Sequence, residues 1–310
     1  MPRVSVIIPN FNHSKYLTQR IESVINQTYQ DFEIILMDDL SSDSSKEIIH
    51  QYVNHPKVTH TVYNEINSGS TFKQWKKGIE LAAGEFVWIA ESDDWCEPEL
   101  LQTLVDGITS DKQCVISYCQ SYSVDADGKI ISHSNYWKSS EMMDGKLFIQ
   151  KHLSVPVAIF NASMVLWRKN AFESVPVDLI TFKFCGDWYF WIQLCKLGKV
   201  HISGKVLNYF RKHDTTASKN AYQSGLNFIE ELRIIDSMYK EQLITDKGYY
   251  RAYKKKFIEY WMVKDKIDKA NKEQIRQLFR NPLSSQISLI KLVPAAIWKK
   301  TEQLWKSKTN

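Results

Sequence analysis

Two neighbouring aspartates, Asp38 and Asp39, close the apolar run EIILM, and carboxylates so placed repel each other unless a cation or hydrogen-bond donors meet them. Three more polar clusters interrupt apolar surroundings: PNFN at 9–12, ESDDW at 91–95 and GDW at 186–188. A simple turn or helix cap has no need of the repulsion at 38–39, which favours a ligand-binding role for that pair.

The elements that must carry these clusters alternate. VSVIIP (4–9) and EIILM (33–37) read as buried strands, VTHTVY (58–63) as a third and EFVWIA (85–90) as a fourth. Between them, Leu17, Ile21, Val24 and Ile25 recur at helix spacing after Ser14, an expected N-cap. Asp43 is positioned to cap a helix through Ile48 and Ile49, and a third helix carries Trp75, Ile79 and Ala82 up to Gly84. Such alternation predicts βαβ units, a mostly parallel sheet with helices on both faces, and a ligand crevice at the carboxyl ends of the strands. VISYCQSYSV (115–124) with DADGK reads as a strand and hairpin turn, and GDWYFWIQLCKLG (186–198) as a short helix. Beyond residue 220 the texture is helical and Lys-rich, so 216–310 is expected to form a separate helical region.

The chain has 310 residues and a net charge of +5, yet its last 90 residues alone hold 18 Lys and Arg against 10 Asp and Glu. Its five cysteines include no C-x-x-C pair, which argues against a disulfide framework or zinc site and suits a reducing cytoplasm. The N-terminus shows no charged leader, and no run approaches the length of a membrane-spanning helix. No G-x-G-x-x-G follows the first strand, and nucleic-acid binding has only the charge of the tail behind it.

VSVIIPNFN, the helix ending QTY (27–29) and the strand ending ILMDD, followed by ESDDW, together resemble family 2 glycosyltransferases of the GT-A fold. The resemblance spans roughly 200 residues. It implies a catalytic domain over 1–215, with a nucleotide-binding half at 1–97 and an acceptor-side half at 98–215.

What the resemblance implies for the residues is specific. Asp39 accepts from a ring N–H of the nucleotide base, Phe11 of the Pro9-to-Asn12 segment stacks on that base, and Asp38 helps set the loop. Asp93 ligates a divalent cation, Mn2+ or Mg2+, that neutralises the diphosphate. Glu91 falls on the ribose side where the family commonly has Asp, and Asp94 supports the loop. An alternative for these acids is compensation of the dipole of a helix beginning near Pro98. Asp187 is the general base, although Gly186 stands where the family usually has Glu; capping of the helix is the plainer role for Asp187. In NYFRKHDTTASK (208–219), read as a loop, Arg211 is a candidate diphosphate contact and His213 a candidate metal or phosphate contact. Lys73 lies near the place of a family arginine, one residue out of register.

The implied reaction is inverting transfer of a sugar from a nucleotide-diphosphate donor to a saccharide or lipid-linked saccharide acceptor, in bacterial surface polysaccharide or glycolipid synthesis. The rival is a catalytically impaired nucleotide-sugar binding protein of the same fold. SQISLIKLVPAAIWKKTEQLWKSK (285–308) is the stretch that would bring a cytoplasmic enzyme to the anionic inner face of the cell membrane.

Overall fold

The apolar run near the N-terminus forms β1 (Val4–Asn10), every residue of which is buried. Its burial follows from its place between β2 (Phe32–Asp38) and β4 (Phe86–Ile89), both parallel to it. Parallel strands covered on both faces run as continuous Val, Ile and Leu rather than alternating with polar residues. β3 (Val58–Tyr63) pairs parallel with β2 at the end of the strand order, and its VTHTVY is only partly buried. The structure, a computed structural model, describes residues 1–155, 157–212, 221, 223–288, 292–299 and 302.

Past β4 the order continues through β9 (Val165–Arg168), β6 (Cys114–Val124), β10 (Lys199–Arg211) and the two-residue β5 (Trp95–Cys96). β9 runs antiparallel to β4 and β6, whereas β6 and β10 run parallel to each other. β7 (Ile130–His133) pairs with β6 and β8 (Ser140–Asp144) with β10. Asn208 to Arg211 therefore belong to the last strand, not to a loop after it.

Helices α1 (Ser14–Ile25), α2 (Ser45–His50), α3 (Thr71–Leu81), α4 (Leu100–Thr109), α5 (Gly145–Phe148) and α6 (Gly186–Cys195) surround this sheet. α3 approaches β1 closely at Gly78, where a Cβ would stand 2.6 Å from Ile7 Cγ2. Ser14 is the first helical residue rather than the cap; its N–H donates to Asp43 Oδ2 (2.8 Å), while Ser45 N–H donates to Asp43 Oδ1 (3.0 Å). One carboxylate thus meets the amino ends of both α1 and α2. Burial would raise the Asp43 pKa, but these donors hold it below the ordinary value.

These strands and helices make one unit, Met1–Phe148 with residues from Ala158 through the last strand; Ile149–Val157 and the C-terminal helices make another. In the second unit, Leu226–Lys240, Asp246–Val263 and Lys269–Arg280 are helical, with Phe279 packed on Tyr253 and Phe257 at 5.4 and 5.3 Å between ring centres. Residues 149–157, read with the acceptor-side half, pack here instead, Gln150 Nε2 donating to the Leu243 carbonyl (3.1 Å). The partly buried Lys256 ammonium meets Glu231 and Glu259, each at 2.8 Å.

Candidate active site

Register brings the polar ends of the first strands level, Asn10 lying opposite Asp38 and Asp38 opposite Tyr63. The two aspartates then part company. Asp38, fully buried, accepts from Asn10 Nδ2 (3.1 Å) and Ser41 N–H (3.0 Å), so it braces its own loop against β1. Asp39 Oδ1 accepts from Asn64 Nδ2 (2.7 Å), Ser68 N–H (2.8 Å) and Gln74 Nε2 (3.0 Å), and its Oδ2 from Ser68 Oγ (2.7 Å). Donors on separate sides offset the repulsion that the sequence posed. The next residue, Leu40, adopts φ +63°, a left-handed conformation that costs a non-glycine residue about 1–2 kcal/mol.

The acidic turn after β4 is fixed by two buried arginines that approach from different elements. Arg20, on the buried stripe of α1, donates Nε to the Glu91 carbonyl (2.8 Å) and lies 3.8 Å from Asp94 Oδ2 through Nη2. Arg211, at the end of β10, donates Nε to the Asp93 carbonyl (2.9 Å) and its backbone N–H to Asp94 Oδ1 (2.9 Å). Asn161 Nδ2 also donates to Asp94 Oδ2. Burial and then Asp93 raise the Asp94 pKa, opposed by Arg20, Ser163 and the Arg211 N–H. Gln27 of the QTY segment fastens the following residues, donating to the Glu97 carbonyl (2.9 Å) and accepting from Leu101 N–H (2.8 Å).

Glu91 is held at three points. Its N–H donates to Ser163 Oγ (3.1 Å), its carbonyl takes the Arg20 bond, and its Oε1 accepts from Trp75 Nε1 (3.0 Å). Burial, then Asp93 and Asp94, push its carboxyl up to about 8, against Trp75 and Arg20.

Trp75 also leads to the other candidate. Its ring packs on Phe190 and Trp191 of α6, at 5.9 and 6.2 Å between ring centres. Asp187 sits half-exposed in the first turn of that helix, its Oδ1 accepting from Trp188 N–H (2.7 Å). Gly186 beside it has no room for a side chain, since a Cβ would lie 2.5 Å from the Phe72 ring, which explains the missing Glu in steric terms. Asp39, through Gln74 of α3, and Glu91, through Trp75 of the same helix, are therefore tied to one element, and α6 packs against it.

Other expected residues fall less centrally. Phe11 is 47% exposed at the mouth of the strand ends, whereas Pro9 is buried in β1 opposite Met37. Lys73 Nζ donates to the Ser68 carbonyl (3.2 Å) beside Asp39. Arg211 is buried with its guanidinium between Tyr16 and Trp95, 4.3 and 4.5 Å from the ring centres. It also donates Nη1 to the Ala126 carbonyl (3.0 Å) and Nη2 to Gln19 Oε1 (2.8 Å). These contacts clamp the acidic turn to β10 and α1 at the residue for which a diphosphate contact is expected from sequence. His213 lies outside the described residues.

No group of three His, Cys, Asp or Glu able to cage a metal occurs among the described residues. The oxygens of Asp94 are engaged by Asn161, Arg211 and Arg20 and Asp94 is buried, whereas Asp93 of the same turn is half-exposed and within reach of an ion from solvent. One hard carboxylate with substrate oxygens and waters completing the shell is the donor set that Mg2+-like ions take with phosphate substrates, so the residues fit an ion that arrives with a diphosphate.

Arg20 and Gln74 went unnoticed in the sequence, and Trp75 was read there only as part of the apolar face of its helix. A signal existed for Arg20: it shares the face of Leu17, Ile21 and Val24, and a cation on a buried stripe needs a buried anion.

A family model described as "Glycosyl transferase family 2" matches residues 5–175, more than half of the chain. The GalNAc(5)-diNAcBac-PP-undecaprenol beta-1,3-glucosyltransferase of Campylobacter jejuni is 26% identical over 257 residues, covering 81% of this chain and 79% of that protein. Glycosyltransferase GlyG of Streptococcus pneumoniae is 32% identical over 187 residues, covering 60% of this chain and 52% of that protein. The match to the chondroitin synthase of Escherichia coli, 31% identical, covers 44% of this chain and only 20% of that protein. Among solved structures, S. aureus TarS 1–349 in complex with UDP-GlcNAc superposes with a TM-score of 0.67 at 20% identity, covering 89% of this chain and 79% of that one. The fold is thus of the GT-A type.

Proposed function

The chain belongs to glycosyl transferase family 2, and from that premise we propose that it moves a sugar from a nucleoside diphosphate donor to a hydroxyl acceptor with inversion at the anomeric carbon. The observation that carries this reading is the convergence of Asp39, Glu91 and the Asp187 helix on α3, at the carboxyl ends of the first strands. The TarS complex with UDP-GlcNAc makes a uridine diphosphate sugar the first donor to test.

In the proposed mechanism Asp39 accepts from the base, Phe11 covers one face of it, and Glu91 meets the ribose. Asp93 would hold Mn2+ or Mg2+, and the ion would supply positive charge against the diphosphate. Asp187 takes the proton of the acceptor hydroxyl while that oxygen bonds to the anomeric carbon and the bond to the nucleoside diphosphate breaks. Its place at the start of α6, where its Oδ1 already accepts from Trp188 N–H, orients it for that task.

A thermal-shift screen of nucleotide sugars with and without Mn2+, followed by a donor-hydrolysis assay, tests the reading. A shift with uridine diphosphate sugars and slow hydrolysis are expected. A shift without any turnover would instead support the impaired binding protein, and no shift with any donor would overturn both.

For the acceptor, the glucosyltransferase relative's name specifies a PP-undecaprenol saccharide, and we extend that class, a saccharide on a lipid carrier, to this chain as a proposal. No helix among the described residues is long and apolar enough to cross a membrane. Residues 292–299 are helical and bury Leu292 and Ala296 while Ile297 and Trp298 stay 50% and 75% exposed, beside Lys299. Those two side chains would enter the interface of an anionic bilayer. Flotation with phosphatidylglycerol vesicles is expected for the full chain and not for the Ile297→Ser, Trp298→Ser variant; a full chain that stays at the bottom removes the idea.

A further inference from the structure

We infer that Trp75 is a positioning residue for the nucleotide site: its indole N–H aims the Glu91 carboxyl, and the rings of α6 fix the indole.

The backbone of Glu91 is already pinned, its N–H on Ser163 Oγ (3.1 Å) and its carbonyl under Arg20 Nε (2.8 Å). What remains loose in a glutamate so held is the side chain, with three rotatable bonds and one more methylene than aspartate. Trp75 removes that freedom with a hydrogen bond of 3.0 Å to Oε1. The donor itself cannot swing. Trp75 is 2% exposed, lies edge-on to Phe72 at 5.2 Å, and is flanked by Phe190 and Trp191. Packing of that kind locks a ring in one rotamer, which is what a supporting residue must have if the group it holds is to keep its place within a fraction of an ångström.

A tryptophan so buried is also core, and loss of its ring would destabilise the fold whatever Glu91 does. The two roles separate because only one of them passes through the carboxyl of Glu91. Trp75→Phe keeps most of the ring and deletes the N–H. If the indole acts by aiming Glu91, its removal matters only while Glu91 is present, and the two substitutions are coupled; if it acts as packing alone, their effects add.

The inference rests on the proposed nucleotide site, and the experiment keeps the two apart. UDP with Mg2+ is titrated calorimetrically into the wild type, Trp75→Phe, Glu91→Ala and the double variant. Trp75→Phe is expected to weaken binding about 10-fold in the wild-type background and less than about 2-fold in the Glu91→Ala background, the size expected for one hydrogen bond to a carboxyl group. Equal losses in both backgrounds would overturn the role of Trp75 while leaving the nucleotide site standing. A wild type that fails to bind UDP would overturn the site itself and this inference with it. Should Trp75→Phe not fold, the indole 15N–1H resonances serve in its place. One of them is expected to move on addition of UDP and Mg2+ in the wild type and to stay within its line width in Glu91→Ala; an identical shift in both proteins would reject the coupling.

Discussion

The ring of Phe72 occupies the space in front of Gly186, so that a Cβ added there would stand 2.5 Å from two ring carbons. Phe72 is itself buried and cannot retreat without disturbing Trp75. Gly186→Ala is therefore expected to cost about 1–3 kcal/mol through overpacking, and less in a Phe72→Leu background where the ring is gone. Urea unfolding of the four proteins measures this; a Gly186→Ala variant as stable as the wild type in both backgrounds would contradict the packing.

Asp187→Asn keeps the size of the side chain and an oxygen for the Trp188 N–H, but it cannot take up a proton. Sugar transfer is expected to fall by about 100-fold or more, within the range of a lost general base, while UDP affinity stays within a few-fold. Steady-state kinetics with calorimetric binding checks both halves, and a variant that transfers at the wild-type rate would remove Asp187 from the reaction.

Arg20 and Asp94 are both buried, and loss of the cation alone strands the acid. Arg20→Met should destabilise the protein by about 3–5 kcal/mol, the usual penalty for half of a buried pair. Arg20→Met with Asp94→Asn should regain much of that. Denaturant midpoints decide the matter, and a double variant no better than the single one would show that Asp94 is not what Arg20 compensates.

Glu33, at the opposite end of β2 from Asp38, gives a pH signature clear of the site. Burial would raise its pKa, but donation from Ser5, Thr59 and the Ala83 N–H brings it below the ordinary value. A depressed folded-state pKa means stability that is present above the ordinary glutamate range and lost as the pH falls through the folded value. Glu33→Gln should be less stable at neutral pH and should flatten the acid limb of the stability curve. Melting temperatures between pH 3 and 7 would show it; parallel curves for the two proteins would refute it.

β1, β2 and β4 were legible because burial on both faces writes them as unbroken apolar runs, and the ends of those runs located Asp38, Asp39 and the acidic turn. β5 was invisible, since two residues carry no period, and it forms only because β10 passes alongside. The end of the last strand reads as loop for a different reason: NYFR is polar, yet Tyr209 is stacked between Trp95 and Tyr122, neighbours that come from elsewhere in the chain. The same distance in sequence hid the clamps. That Arg211 spends its donors on Asp93, Ala126 and Gln19 is knowable only once β10 lies beside β6. Gly186 read as a lost carboxylate because nothing in its own neighbourhood announces Phe72.

The shared hold of Asp43 on the starts of α1 and α2 has a consequence for the two loops that follow β1 and β2. Asn12 and Ser42 join the two facing loops again, at 2.7 Å, and Asn12 N–H reaches Ser41 Oγ at 2.9 Å. The jaws are thus riveted together before any guest arrives. The proposed nucleotide would therefore meet loops that are already ordered, and little disorder would be left for it to quench.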